Sequence, residues 1–355
     1  NSLTTNTKSF YNVAVGNSAL AAHNLTSDAA GYNTGIGHNA GAAVTTGIAN
    51  TLIGAAAGDA ITTASYNTAV GFNSLSSDTL GARSTAIGYN ALNAQNFTTA
   101  TSVYNTAVGF GAGASVTTGT RNTIVGSIAG DALTIGRYNT ALGFNTLSTD
   151  LEMQESDSAN QNVYNTAVGS YAGANLTTGV LNTFVGGGAG GTGVVTGDSN
   201  VAVGYTAGAN LTTGYLNTIM GANAGDALTT GFDNVVMGRS ALTTEDTGRY
   251  NVAIGSSALE TQNSDTTNYN TAVGYSAGKA VTSGINNTLI GALAGDALRD
   301  ADHNVALGTF ALSADTFGSR STAIGYGSLN TQNFTTATEA YNVAVGFNAG
   351  DAIST

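Results

Sequence analysis

A chain of 355 residues with 49 glycines, no proline, cysteine or tryptophan and only 8% charged residues is not composed like a set of ordinary globular domains. Its formal charge of −12 argues against a nucleic-acid polyanion as partner, and the missing cysteines exclude disulfides and thiolate metal sites. The apolar fraction of 42% can supply a core, but no apolar run long enough to span a membrane is present, and no basic-then-apolar start marks a signal peptide.

Along the chain one element dominates: Asn, Thr or Val, a small or aliphatic residue, an aliphatic residue, then Gly. It begins at Asn12, Asn33, Asn50, Asn67, Ser84, Asn105, Asn122, Asn139 and Asn165, and again at Asn182, Asn200, Asn217, Asn234, Asn251, Asn270, Asn287, Asn304, Ser321 and Asn342, 19 copies in all. The commonest step from one opening to the next is 17, with steps of 21 after Asn12, Ser84 and Ser321, 18 after Asn182, 19 after Asn251 and 26 after Asn139. Position two is always Thr or Val and position four always Val, Ile, Leu or Met, so period-two alternation predicts a short strand with positions two and four turned to the core. Position three, Ala in 12 copies, then faces away.

Seven residues after each start stands Ala in 16 copies, which reads as a tight corner with a small inward residue. A second strand is expected to follow, as at Ala43 to Gly47 and Ala132 to Gly136, so that each unit is one coil of two strands and two turns. A higher period sits above the coil: the long coil that opens at Asn12 returns at Ser84, and the segment Ser84 to Thr101 matches Ser321 to Thr338 at all but three positions. The fold class expected is all-β, a parallel β-solenoid (β-roll) of about 19 coils with a 17-residue repeat, running as one repetitive body over residues 1–355 and cut from a longer chain without capping repeats. At one strand spacing per coil such a rod would be roughly 90 Å long. Segments that exceed the common step, Asn93 to Val103, Leu147 to Val163, Gln262 to Thr267 and Asn330 to Ala340, are expected to leave the ladder as loops. The bland strip of position-three alanines suggests a homotrimer with those faces around a shared axis, with a single-chain solenoid as the alternative.

The NTAVG, NTLIG and STAIG elements resemble the strand repeats in head domains of trimeric autotransporter adhesins, with Ser84 to Gly88 and Ser321 to Gly325 matching best. They also resemble the NTAVGYNAG-type repeats of bacteriophage tail-fibre proteins. The resemblance spans Asn12 to Gly346 and implies a left-handed β-roll, trimerisation and a place outside the cell, on a cell surface or virion appendage. The chain departs from the adhesin heads in its longer step and in Thr or Val at position two.

No catalytic, cofactor-binding or metal-binding residue is assigned, and the chain is not expected to be an enzyme. His23, His38 and His303 lie far apart and read as surface or turn residues. The Gly-Asp pairs at Asp59, Asp131, Asp226, Asp296 and Asp351 share one coil position, but they are too sparse for a calcium-binding roll and read as turn aspartates. Asp150, Glu152, Glu155 and Asp157 form an acidic insertion without an aromatic cleft beside it, more like a solvated protrusion than a glycosidase pair. The tyrosines before the strand, at Tyr11, Tyr32, Tyr66, Tyr104, Tyr138, Tyr164, Tyr250, Tyr269 and Tyr341, read as corner packing, with sugar stacking as their functional alternative. These readings converge on a structural or adhesive fibre segment that self-associates, with a host or cell-surface glycan or protein as a further partner, and without nucleic acid or membrane insertion. An ice-binding or carbohydrate-binding solenoid is the alternative; the inward direction expected for the Thr row counts against ordering water.

Overall fold

The structure, a computed structural model, describes residues 2–149 and 162–354. They form two compact units, Asn1–Thr178 and Gly179–Thr355. Each is a parallel β-solenoid, and no residue described is helical. Among the described residues no helix is long and apolar enough to cross a membrane.

Positions two to four of all 19 elements form a three-residue strand, such as Thr106–Val108 or Thr288–Ile290. Within each unit, successive strands pair in parallel, residue on equivalent residue: Thr106 with Thr123, Ala107 with Ile124, Val108 with Val125. In the first unit the ladder runs from Val13–Val15 to Thr166–Val168, and in the second from Thr183–Val185 to Val343–Val345.

The asparagine that opens the element sets the stacking. Asn50 is fully buried; its Nδ2 donates to the Ala64 carbonyl at 3.0 Å within its own coil, and its Oδ1 accepts the backbone N–H of Asn67, one coil on, at 2.9 Å. Asn122 repeats both bonds, to Gly136 and from Asn139. One short amide thus closes the coil and ties it to the next, satisfying backbone groups that the turn would otherwise leave buried and unpaired. The glycine that ends the element is required by crowding: Gly109 has φ +142°, and a Cβ there would overlap the carbonyl oxygen of Gly126 in the following coil.

The strand faces are the reverse of the sequence expectation. Position three points inward: Ala69, Ala86, Ala107, Ala141, Ala167 and Ala272 are all 0% exposed. Positions two and four point outward and are half-buried or exposed, as the burial of Thr106, Val108, Leu142 and Met220 shows. The cause is volume. The interior also receives a residue eight places after the opening Asn and another eleven places after it, and the large side chains there leave room for little more than a methyl opposite. Where position three is large, the residue eight places after the opening shrinks to compensate. A Cβ on Gly58 would lie 2.7 Å from Leu52 Cδ2 and 2.8 Å from Ile61 Cδ1, whereas Ala69 and Ala86 face coils that carry Leu75 and Leu92. The alanine strip therefore cannot line a shared trimer axis; it is the core.

Two further expectations are corrected. The segments Ala43 to Gly47 and Ala132 to Gly136 are turns and bends, not strands, although they stay in the ladder: Thr45 N–H donates to the Thr62 carbonyl and Thr117 N–H to that of Thr134. The inward Ala at the preceding corner is as expected, with Ala57, Ala129 and Ala224 fully buried. Nor do the long coils simply loop out. Thr101–Ser102 pairs with Gly81–Ala82, and Thr338–Glu339 with Gly318–Ser319, each as an extra two-residue parallel strand. Arg249 and Thr267 form a comparable single bridge. The acidic insertion Asp150, Glu152, Glu155 and Asp157 lies outside the described residues.

Candidate functional surface

The outward strand face is a regular surface that the repeat builds, with equivalent residues of successive coils in register. In the first unit the position-two row is an uninterrupted ladder of eight threonines, Thr34, Thr51, Thr68, Thr85, Thr106, Thr123, Thr140 and Thr166. Beside it runs the aliphatic row from Ile36 to Val168, in the same register. In the second unit the position-two row alternates irregularly between Thr and Val, from Thr183 to Val343. No position in either row carries a charge. An uncharged strip with methyl groups in both rows is the kind of surface that monomeric proteins rarely leave bare.

A second ladder follows the residue before each Asn. That residue holds a left-handed backbone conformation, with φ 64° at Tyr66, 65° at Arg83 and 58° at Tyr104, and its side chain projects from the corner. Rings of neighbouring coils stack there: Tyr11 on Tyr32 at 5.6 Å, Tyr138 on Tyr164 at 4.8 Å, Tyr250 on Tyr269 at 5.1 Å. Where arginine takes the position it slots between rings, Arg83 over Tyr66 and Tyr104, and Arg121 over Tyr104 and Tyr138. Corner packing is thus what the tyrosines do, while their outer edges stay open to solvent.

A third feature, invisible to motif reading, is internal. Most coils carry Val, Ile or Leu eleven places after the opening residue, as Val44, Ile61 and Leu133 do. In pairs of adjacent coils that position becomes polar: Asp78 with Gln95, Glu245 with Gln262, Asp315 with Gln332, all 0% exposed. Gln95 Nε2 donates to Asp78 Oδ2 at 2.6 Å while Asp78 Oδ1 accepts the N–H of Gly81 at 3.0 Å and of Phe97 at 3.1 Å. Gln95 Oε1 in turn accepts from Asn105 Nδ2 at 2.9 Å. Asp315 repeats this with Gln332, Gly318 and Phe334. Glu245 takes donors from Gln262, Gly248 and Asn268. The second coil of each pair is the long one, and the carboxylate accepts N–H groups from both coils, as Asp78 does from Gly81 in its own coil and Phe97 in the long one. Burial raises the Asp78 pKa, with Gln95 and the backbone N–H groups opposing it.

His23 is not a surface residue. It is fully buried at the place Gln95 holds in its coil, with Nε2 2.8 Å from Ser9 Oγ, and Asn6 stands where Asp78 stands in the later copy. Burial lowers its pKa. The Gly-Asp carboxylates are not brought together. Burial raises the pKa of Asp59, Asp131, Asp226 and Asp296 alike, and among the described residues no three His, Cys, Asp or Glu side chains converge to hold a metal. Neither a scan against protein-family models nor a search of curated proteins matches this chain.

Proposed function

We propose that this chain is a structural or adhesive segment of a fibre on a cell surface or virion appendage, acting without catalysis and associating with copies of itself through its outward strand face. The observation that supports this reading is that face: in-register Thr or Val and aliphatic rows, uncharged throughout and half-buried or exposed among the described residues. Burying such rows against an equivalent set from a second copy removes apolar area from water without desolvating a charge. This replaces the alanine strip as the surface of association, whether the assembly is a trimer or another small oligomer.

Sedimentation of the full chain across a range of concentrations tests the reading. Association is expected, and replacing Val108, Val125 and Leu142 together by Lys should abolish it while the β-type circular dichroism spectrum persists. A chain that stays monomeric at every concentration, or one whose association ignores the three lysines, contradicts it.

The eight-threonine ladder favours one second reading, ordering of water at an ice surface, since these hydroxyls and the flanking methyls stand in register on an outward sheet face. Thermal hysteresis in the freezing of a solution of the chain, lost in Thr106→Lys, would select it over the fibre.

A further inference from the structure

The duplication that produced the segments from Ser84 and Ser321 also produced two equivalent surface grooves, each beside the extra strand of a long coil. The first, of about 210 Å³, is lined by Thr63, Ser65, Tyr66, Arg83, Thr101 and Ser102 among others. The second, of about 220 Å³, has Asp300, Asp302, His303, Arg320, Thr338 and Glu339 at the corresponding places. The arginine is common to both, and its surroundings have diverged. Arg320 Nε lies 3.1 Å from Glu339 Oε1, and Glu339 Oε2 accepts the Tyr341 hydroxyl at 2.6 Å. In the first groove Ser102 stands where Glu339 would be. Arg83 donates to its Oγ, and no carboxylate pairs with Arg83 among the described residues.

We propose that the first groove is a binding subsite for an acidic saccharide, with the carboxylate on Arg83 and the sugar ring against Tyr66. The guanidinium sits 5.5 Å from the Tyr66 ring centroid and 5.6 Å from that of Tyr104, which are 55% and 49% exposed. Held between rings, it keeps N–H donors at its edge for a planar carboxylate. Tyr66, which lines the groove, offers apolar ring surface to the C–H side of a pyranose, and Thr63, Ser65, Thr101 and Ser102 offer hydroxyls to its own. The groove is smaller than the sites of drug-sized ligands, which suits a single ring of a longer chain. An acidic peptide would satisfy Arg83 but would leave the exposed Tyr66 ring and the hydroxyl lining without matching groups. The second groove, lined by three carboxylates of which Glu339 already pairs with its arginine, rejects the same ligand. The subsite gives the adhesive part of the proposed function a ligand class, and it does not depend on association through the sheet face.

Calorimetric titration of the full chain with glucuronic acid, methyl glucoside and a diglutamate peptide tests the proposal. Glucuronic acid should bind at least tenfold more tightly than either other probe. Arg83→Gln and Ser102→Glu should each weaken it at least tenfold while the melting temperature holds. Ser102→Glu is the safer variant for folding, because glutamate is the native residue at the equivalent position 339. Absence of glucuronic acid binding at millimolar concentration, equal binding of methyl glucoside or of the peptide, or indifference to Ser102→Glu each overturns the assignment. Sedimentation of the same samples reports the sheet-face association separately, so failure of one reading is not mistaken for failure of the other.

Discussion

The Oδ1 of Asn105 accepts the backbone N–H of Asn122 at 2.9 Å, two openings of successive coils joined by one side chain. Asn122 is itself buried and passes the bond on to Asn139 while its Nδ2 holds the Gly136 carbonyl. Asn122→Ala leaves the Asn139 N–H and the Gly136 carbonyl without partners. At roughly 1–3 kcal/mol for each buried group so stranded, the loss of stability should be about 2–6 kcal/mol. Guanidinium unfolding of the variant against the parent checks it, and a loss under about 0.5 kcal/mol would mean that the backbone ladder alone specifies the stack.

The Asp78–Gln95 pair yields a double-mutant cycle. Gln95→Leu leaves Asp78 Oδ2 without its donor while Oδ1 keeps the N–H groups of Gly81 and Phe97, and should cost about 2–4 kcal/mol, much of it the desolvation of Asp78. Replacing both residues by Leu, the kind of side chain that neighbouring coils use at this position, should cost less than the single change, although the N–H groups of Gly81 and Phe97 then lose their acceptor. Two single losses that simply add would show that the pair is not coupled.

Burial raises the pKa of Asp59, Asp78, Asp131, Asp226 and Asp296 above the ordinary 3.8. Above 3.8 and up to their folded values, the native chain therefore holds more protons than the unfolded one. Stability from these groups falls as pH rises through that window and is level beyond it. Asp300, lowered by hydrogen bonds from Ser283 and Thr282, acts in the opposite sense: its stabilisation is present above 3.8 and is lost as pH falls below it. His23, lowered from 6.5, loses stability as pH falls through 6.5. Melting temperatures of the parent and Asp78→Asn isolate one group: acidification toward pH 4 should raise the parent relative to the variant. A parent that loses ground to Asp78→Asn on acidification would reverse the sign assigned to Asp78.

The repeat made the architecture legible: Asn at the opening, Gly at the close and a constant step between them leave few alternatives to stacked parallel coils. The direction of the strand was not legible, because alternation says that Ala107 and Val108 face opposite ways without saying which way is in. The usual rule that the larger aliphatic seeks the core fails when the opposite wall already supplies Leu and Ile to a narrow interior. The signal that would have corrected it was the reciprocity of Leu52 with Gly58 and of Ala69 with Leu75, a volume balance across one coil. The buried pairs had a signal too, since Asp78, Glu245 and Asp315 each stand one coil step before a Gln. The contrast between the grooves at Arg83 and Arg320 was also in the sequence, as Ser102 against Glu339, but only the extra strands of the long coils reveal that these residues meet the arginine.

The inward alanine and outward aliphatic row underlie the core, the association surface and the reading of function together, and the absence of native cysteine allows a direct measurement. Single variants Ala107→Cys and Val108→Cys, each in dilute folded chain, are exposed to a maleimide reagent and the labelling rate is compared with that in denaturant. The thiol of Val108→Cys should label at a rate near that of the unfolded chain, and the thiol of Ala107→Cys should be protected by orders of magnitude until the chain unfolds. Rapid labelling of Ala107→Cys with protection of Val108→Cys would place the aliphatic row in the core and contradict the account.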